Sequence, residues 1–448
     1  MRRGLAALVM QRVVQPVLAV AFAVGVGTAT LAAQTAPPPP PGASAMLDST
    51  RAVRGARLSV SLVTYGPGSE VYDVFGHVAL VVNDSTTGED IAFNWGMFDF
   101  EQPNFLTNFL TGDTKYWTAG LNTQAFNDFY RSQNRSIRRQ ELAFTPLEKS
   151  ALFEFVSWNA REENKFYRYD YYRDNCATRV RDAIDRVLSG ALKPALNVPG
   201  AGRTWRGETA RIMATTLPAY AGIQIALGRN ADMTLSKWDE AFLPNYLADH
   251  LATFVVHRPD GSRYRLVSSD SVIFAADRVP MPTEAPSRVP TAALLGLTLA
   301  GLIAALADAK QRVARALLSV GVVLWYVLGG VLGTLLLLAG TVTKHAPYMG
   351  ANLTLLQLHP LMLIATWPVA VALVRNVRGR TAMGMSAVLA LLSLAGVVLQ
   401  LIPSLAQSSG VVLAVTVPVH VALAIAMWRL DPDDAMHRRA SLPMQRAA

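Results

Sequence analysis

The chain changes character near residue 290. Beyond it lie five apolar stretches, 291–307, 316–342, 354–374, 383–402 and 410–428, with almost no charge inside them. Each is long enough for a helix to cross a hydrocarbon core of about 30 Å, and the second has room to tilt. Five in succession predict a helical membrane domain over 291–428 rather than buried core helices. Before residue 280 the pattern is that of a globular domain. Leu58, Val60 and Leu62 alternate with polar residues, as in a half-buried strand. Val78 to Val82 reads as a second strand, residues 83–90 as a polar turn region, and Ile91 to Trp95 as a third strand. Helical spacing follows at 123–133, at 145–160 and again after residue 176. Val255 to Phe274 reads as a basic, aromatic hairpin turning at Pro259-Asp260-Gly261. Residues 57–279 are thus expected to form an α+β domain, a small antiparallel sheet plus helices. The prolines at 280, 282, 286 and 290 mark a linker over 280–290, and 429–448 is a tail.

The N-terminus adds a direction to this plan. Arg2, Arg3 and Arg12 precede an apolar run from Val17 to Leu31, and Ala32 and Ala33 follow. That is the anatomy of a signal peptide over residues 1–34, with an uncleaved anchor helix as the other reading. Residues 35–56, proline-rich from Thr35 to Gly42, are expected to form an extended spacer. Between the apolar stretches, one set of loops carries Lys310, Arg312 and Arg315, then Arg375, Arg378 and Arg380, then Arg429, Arg438, Arg439 and Arg446. The other loops carry only Lys344. The positive-inside rule places the first set in the cytoplasm and the 57–279 domain outside, in agreement with the signal peptide. The net charge of +9 therefore calls for no nucleic-acid partner, since much of the excess serves membrane orientation. No metal cluster, phosphate loop, Gly-x-Ser-x-Gly motif or nucleic-acid module is present, and no cofactor is expected.

Against this background the single cysteine, Cys176, stands out. A lone thiol outside the cytoplasm has two readings, an inert buried side chain and a nucleophile. Asp174 and Asn175 are good N-cap residues, and Ala177, Val180, Ala183, Ile184, Val187 and Leu188 follow at helical spacing. Cys176 is thereby placed in the first turn of a helix, where free N–H groups and the helix dipole favour a thiolate and are expected to lower the thiol pKa. Of the seven histidines only His77, His250 and His257 lie in the exported domain. Folding the 78–95 hairpin about residues 86–87 puts 77 opposite 96 and 79 opposite 94. Asn94 then becomes a same-face neighbour of His77, able to hold its ring. His250 and His257 have no such partner. His77 as a satisfied strand histidine, and Asn94 as a strand end before a turn, are the plain alternatives.

Tyr65-Gly66-Pro67-Gly68-Ser69-Glu70, Phe75-Gly76-His77, Phe93-Asn94-Trp95-Gly96 and Asp174-Asn175-Cys176-Ala177-Thr178-Arg179, in this order and before five membrane stretches, resemble the Lnb-type bacterial lipoprotein N-acyltransferases. Those have a periplasmic cysteine-dependent domain followed by five membrane helices. The order is also similar to permuted papain-like enzymes of the lecithin:retinol acyltransferase type. In the membrane half, Asn352-Leu353-Thr354-Leu355-Leu356 and His359-Pro360 look similar to that family's loop before the third helix. The resemblance implies a permuted papain-like fold, with Cys176 as nucleophile, His77 as base and Asn94 as third member. It further implies an inner-membrane enzyme that moves an acyl chain from a membrane phospholipid to Cys176 as a thioester. The chain then passes to the α-amino group of a diacylglyceryl-cysteine at a lipoprotein N-terminus.

Other residues have a bland reading and a functional one. Arg179 is a salt-bridged helix residue or a holder of a phosphate headgroup. Tyr167, Tyr169, Tyr171 and Tyr172 are packing residues, or one hydroxyl, as at Tyr169, joins an oxyanion site. His345, Asn352 and His359, at the outer end of the helices, are loop residues or substrate-positioning groups. Met97 to Trp117, with Phe98, Phe100, Phe105 and Phe109, is loop anchoring or a segment that dips into the membrane interface. Two other functions suit the same residues: a cysteine amidase or peptidase acting on cell-wall peptides, and a non-enzymatic assembly factor that holds a lipidated partner.

Overall fold

Among the described residues, seven strands before the membrane helices form one sheet. They are β1 (Leu58–Tyr65), β2 (His77–Asp84), β3 (Glu89–Met97), β4 (Lys115–Asn122), β5 (Ile137–Leu142), β6 (Phe166–Arg168) and β7 (Val267–Phe274), in the order β7-β5-β1-β2-β3-β4-β6. Every neighbouring pair is antiparallel. The computed structural model describes residues 45–258 and 260–431. The expected signal peptide, the proline-rich 35–42 stretch, Pro259 and the arginines beyond 431 lie outside the described residues.

Alternation along the strands sorts side chains onto two covered faces. Leu58, Val60, Leu62, Val78, Leu80 and Val82 enter one core together with Phe93 and Trp95. Val63, Tyr65, Ala79 and Val81 enter a second core with Phe126 and Tyr130. The first face is covered by α4 (Pro146–Asn159) and α5 (Cys176–Val187), the second by α3 (Thr123–Ser132). The end of the expected 35–56 spacer is instead helical, α1 (Ala45–Ala56), and its Arg51 and Arg54 pair with Glu154 of α4. A short exposed helix, α2 (Phe105–Thr111), follows β3. The expected basic hairpin is divided. Val255–His257 pairs with Arg263–Arg265, while the chain after it becomes β7, at the edge of the main sheet.

Among the described residues, five helices, Val289–Ala307, Arg312–Val342, Leu353–Arg375, Arg380–Leu399 and Gly410–Arg429, are long and apolar enough to cross a membrane. They follow the apolar stretches closely, and residues such as Leu294, Leu324 and Leu391 face outward. The second and third spans approach at Gly329, Gly330 and Gly333, where a Cβ would meet Met362, Leu363 and Leu358. Small residues at such crossings let backbones close up where lipid supplies no hydrophobic drive. The arginine-rich ends lie together: Arg429 pairs with Asp308, and Arg378 donates to Leu430 O. At the other end, loops 343–352 and 400–409 meet the sheet domain. Tyr348 O accepts the Gly228 N–H, and Asn352 Nδ2 donates to Ile225 O and Ala226 O at 2.9 and 3.0 Å. Gln407 Nε2 donates to Asn352 Oδ1 at 3.0 Å, tying the two loops together. The domain's third core, around Tyr172, Trp205 and Phe242, is completed by Tyr348 from the membrane loop, 1% exposed.

Candidate active site around Cys176

The turn leading to the cysteine is held on both sides. Asp170 and Asp174 pair through their backbones. Asp170 Oδ1 accepts from the Tyr172 and Arg173 N–H groups at 3.0 Å each. Asn175 then caps α5: its Oδ1 accepts from the Ala177 and Thr178 N–H groups at 2.9 Å each. Its Nδ2 donates to Tyr171 O and Phe242 O. All four polar positions of this buried amide are committed, so Cys176 begins the helix at a defined place.

The sulfur lies at the end of the sheet. Gly96 has φ +96° and sits at a bulge between β3 and β4. A Cβ there would be 3.7 Å from Cys176 Cβ and 4.0 Å from Tyr169 Cε2. The bulge and the missing side chain open the space in which the thiol stands. The backbone N–H groups of Val78, Ala177 and Cys176 itself, with the charge of Arg135, favour the thiolate. Burial opposes them and wins: the thiol is pushed up to about 11, not lowered as its helix position alone suggests. Protein encloses Cys176 on most sides but leaves it a solvent-accessible edge.

The expected register of β2 and β3 is the observed one, with Ala79 opposite Asn94. His77 stands on the same face as Tyr65, and its ring stacks at 6.3 Å on Tyr65 and 6.1 Å on Tyr130. Burial, then the nearby Arg135 charge, bring its pKa down to about 4, while the Asn94 side chain acts in the opposite sense. Asn94 is fully buried, and its Nδ2 donates to Ala119 O at 3.1 Å. Its Oδ1 makes no hydrogen bond of ordinary geometry, to His77 or elsewhere. Nucleophile and base candidates both lie at the start of β2, the sulfur served by the Val78 N–H one residue after His77, and both are neutral groups.

The remaining sequence candidates divide. Tyr169 lies beside the sulfur, stacked at 4.2 Å on Tyr116, and the nearby thiol is the leading charge effect on its phenol after burial. Arg179 gives Nε and Nη2 to Asp174 at 2.6 and 2.8 Å and lies 3.7 Å over the Tyr167 ring. His345 Nε2 donates to Phe109 O at 2.9 Å, and the ring stacks at 5.9 Å on Tyr171, in the cysteine turn. Asn352 is spent on Ile225 O, Ala226 O and the Thr354 N–H. His359 Nδ1 accepts the Leu361 N–H at 3.0 Å at the start of the third span's helix. Among the described residues no group of His, Cys, Asp or Glu is arranged to hold a metal ion.

Two contributors carried no sequence signal of their own. Arg135 is buried, donating Nε to Gly66 O at 2.8 Å and Nη1 to Asp73 Oδ2 at 3.3 Å, and it lies 4.5 Å over Tyr130. Its charge reaches both Cys176 and His77. Tyr348 donates to Asp170 Oδ1 at 2.8 Å, so a membrane loop grips the cysteine turn. Gly96 closes the segment Phe93-Asn94-Trp95-Gly96, where Asn-Trp-Gly also reads as a strand end before a turn.

A family model described as the Lnb N-terminal periplasmic domain matches residues 46–208, and one described as the Lnb transmembrane domain matches residues 284–430. No curated protein and no solved structure matches the chain.

Proposed function

Because the chain belongs to the Lnb-type family, a periplasmic domain followed by five transmembrane helices, we propose that it is an inner-membrane lipoprotein N-acyltransferase with Cys176 as nucleophile. On this reading the sheet domain is a permuted papain-like fold, with His77 as base and Asn94 as its companion. The observation that carries the proposal is the setting of one thiol. It begins a rigidly capped helix beside a neutral imidazole, facing backbone N–H groups, on a domain locked to five membrane spans.

The chemistry balances without a cofactor. His77 takes the thiol proton as the sulfur attacks the carbonyl carbon of a phospholipid acyl ester. The ester C–O bond breaks, and the lysophospholipid oxygen leaves with the proton from His77. The α-amino group of a diacylglyceryl-cysteine then attacks the thioester carbon. The C–S bond breaks, and a proton from the amine returns to sulfur through the imidazole. The backbone N–H groups that favour the thiolate, with the Tyr169 phenol close by, suit a carbonyl oxygen that gains charge in both steps. Arg179, His345, Asn352 and His359 enter this proposal as supports of the cysteine turn and of the membrane helices, through the bonds described above.

The test is to trap the intermediate. Full-length protein in phospholipid vesicles should carry one acyl chain on Cys176, released by hydroxylamine and absent in Cys176→Ala. A host lacking its own N-acyltransferase should then gain triacylated lipoprotein N-termini by mass spectrometry. Release of cell-wall peptide fragments with lipoproteins unchanged would replace the proposal with an amidase. Full function of Cys176→Ala would leave a binding role.

A further inference from the structure

The segment between β3 and β4 joins the membrane end of the molecule to the cysteine by a continuous row of rings. Phe109 stacks on Phe105 at 6.2 Å, Phe105 meets Phe100 at 5.2 Å, and Phe100 meets Phe98 at 4.8 Å. Phe98 lies 5.2 Å from Tyr116, and Tyr116 stacks at 4.2 Å on Tyr169. Tyr169 and Cys176 flank the same vacant side of Gly96.

The far end of the row is apolar and uncovered. Phe100, Leu106, Phe109 and Leu110 are each more than half exposed, and α2 has no buried residue. A patch of this kind on a folded domain calls for a partner. Its place in the fold names one. The second span ends at Val342, and the residues after it hold α2: the Lys344 N–H donates to Thr111 O at 2.8 Å, and His345 Nε2 to Phe109 O. The patch is therefore tied to the outer boundary of a membrane span, where aromatic side chains partition favourably.

The geometry points to an acyl-chain path: α2 and Phe100 lie in the outer-leaflet interface, and the row from Phe109 to Tyr169 conducts a fatty acyl chain from the bilayer to Cys176. This rests on the acyl-transfer reading for its end point, while the membrane contact of α2 stands independently of it. The occupant is a lipid hydrocarbon tail, because the row presents mainly faces and edges of rings, with hydroxyls at Tyr169 beside the sulfur, at Tyr116 stacked on it and at Tyr72 on the flank of Phe98 and Phe100. A soluble peptide substrate would leave its backbone groups unpaired along such a surface.

Two measurements on the full chain test it. With one native cysteine, Cys176→Ala provides a background for single labels. A fluorophore at Leu110→Cys should be quenched by vesicles with brominated acyl chains. The same label at Thr86→Cys, in the exposed turn at the other end of the β2–β3 hairpin, should not. An unquenched label at 110 overturns the membrane contact whatever the enzyme does. In the native-cysteine protein, Phe100→Asp with Phe109→Asp should slow thioester formation from vesicle phospholipid about tenfold or more, as loss of apolar anchorage implies. Alkylation of Cys176 by iodoacetamide no faster than in the wild type serves as the check that the domain remains folded, because unfolding would expose the thiol and speed it. A double variant that forms thioester at the wild-type rate overturns the path and leaves the acyl-transfer reading in place. A wild type that forms none removes the end point, and the quenching result then decides the membrane contact alone.

Discussion

The Tyr348 hydroxyl, in the loop between the second and third membrane spans, donates to Asp170 Oδ1 at 2.8 Å, inside the turn that delivers Cys176 to its helix. The membrane domain is thus a structural member of the cysteine site as well as an anchor. Tyr348→Phe keeps the buried ring and removes only this bond. Hydrogen bonds to charged groups contribute about 1.5–3 kcal/mol, and Asp170 keeps two backbone donors. Thermal unfolding in detergent should show a loss of about 1–2 kcal/mol, with faster alkylation of Cys176 as the loosened turn exposes the thiol. An unchanged midpoint and rate would dissociate the loop from the site.

Gly96 should tolerate no side chain. Its φ of +96° costs a non-glycine residue about 1–3 kcal/mol. An added Cβ would stand 3.7 Å from Cys176 Cβ, an ordinary contact, so strain rather than collision sets the cost. Gly96→Ala is expected to lower stability by about 1–2 kcal/mol and to reduce acyl transfer more than that, because the sulfur moves with the bulge. Equal activity in the Ala variant would show that the bulge does not place the thiol.

The pH dependence follows from two neutral groups. The thiol is pushed up to about 11, so its thiolate fraction in the resting protein grows as pH rises toward that value. Iodoacetamide alkylation of Cys176 should therefore climb steadily through pH 9. His77 is held down to about 4, so it remains a free base until the medium is distinctly acidic. The acid limb of acyl transfer should fall near pH 4 rather than near the ordinary imidazole value. An alkylation plateau at neutral pH would instead indicate a preformed thiolate–imidazolium pair.

Asn175 separates capping from anchoring. Asn175→Ala removes a cap worth about 1 kcal/mol and strands the carbonyls of Tyr171 and Phe242, at about 1–3 kcal/mol for buried acceptors. Asn175→Ser restores an acceptor for the cap and no amide donors. Urea titration should place Ser about 1 kcal/mol above Ala and both below wild type. A Ser variant as stable as wild type would mean that the two carbonyls do not depend on this amide.

Much of this molecule was legible in the residues. The spans, the first three strands, the register of Ala79 against Asn94 and the start of α5 at Cys176 all follow from local periods and caps. Strands β4 and β5 did not. Ile137–Leu142 reads Ile-Arg-Arg-Gln-Glu-Leu, and Arg138 and Arg139 are affordable in a strand only because Asp249, Asp270 and Glu141 meet them there. Glu141 lies in the strand itself, but Asp249 and Asp270 come from distant segments that no local window contains.

By itself, the sequence determined the division into a sheet domain and five membrane helices and the identity of the one thiol. These depend on hydropathy, charge and short-range spacing, which are properties of neighbouring residues. Tertiary structure alone decided the state of that thiol. A helix N-terminus lowers a thiol pKa, yet burial at the end of the sheet raises it further, and burial depends on what the whole chain packs around the sulfur. Folding also decided which far segments reach the site. Arg135, Gly96 and Tyr348 meet around Cys176 because a bulge, a sheet face and a membrane loop converge there, and such convergence has no period to read.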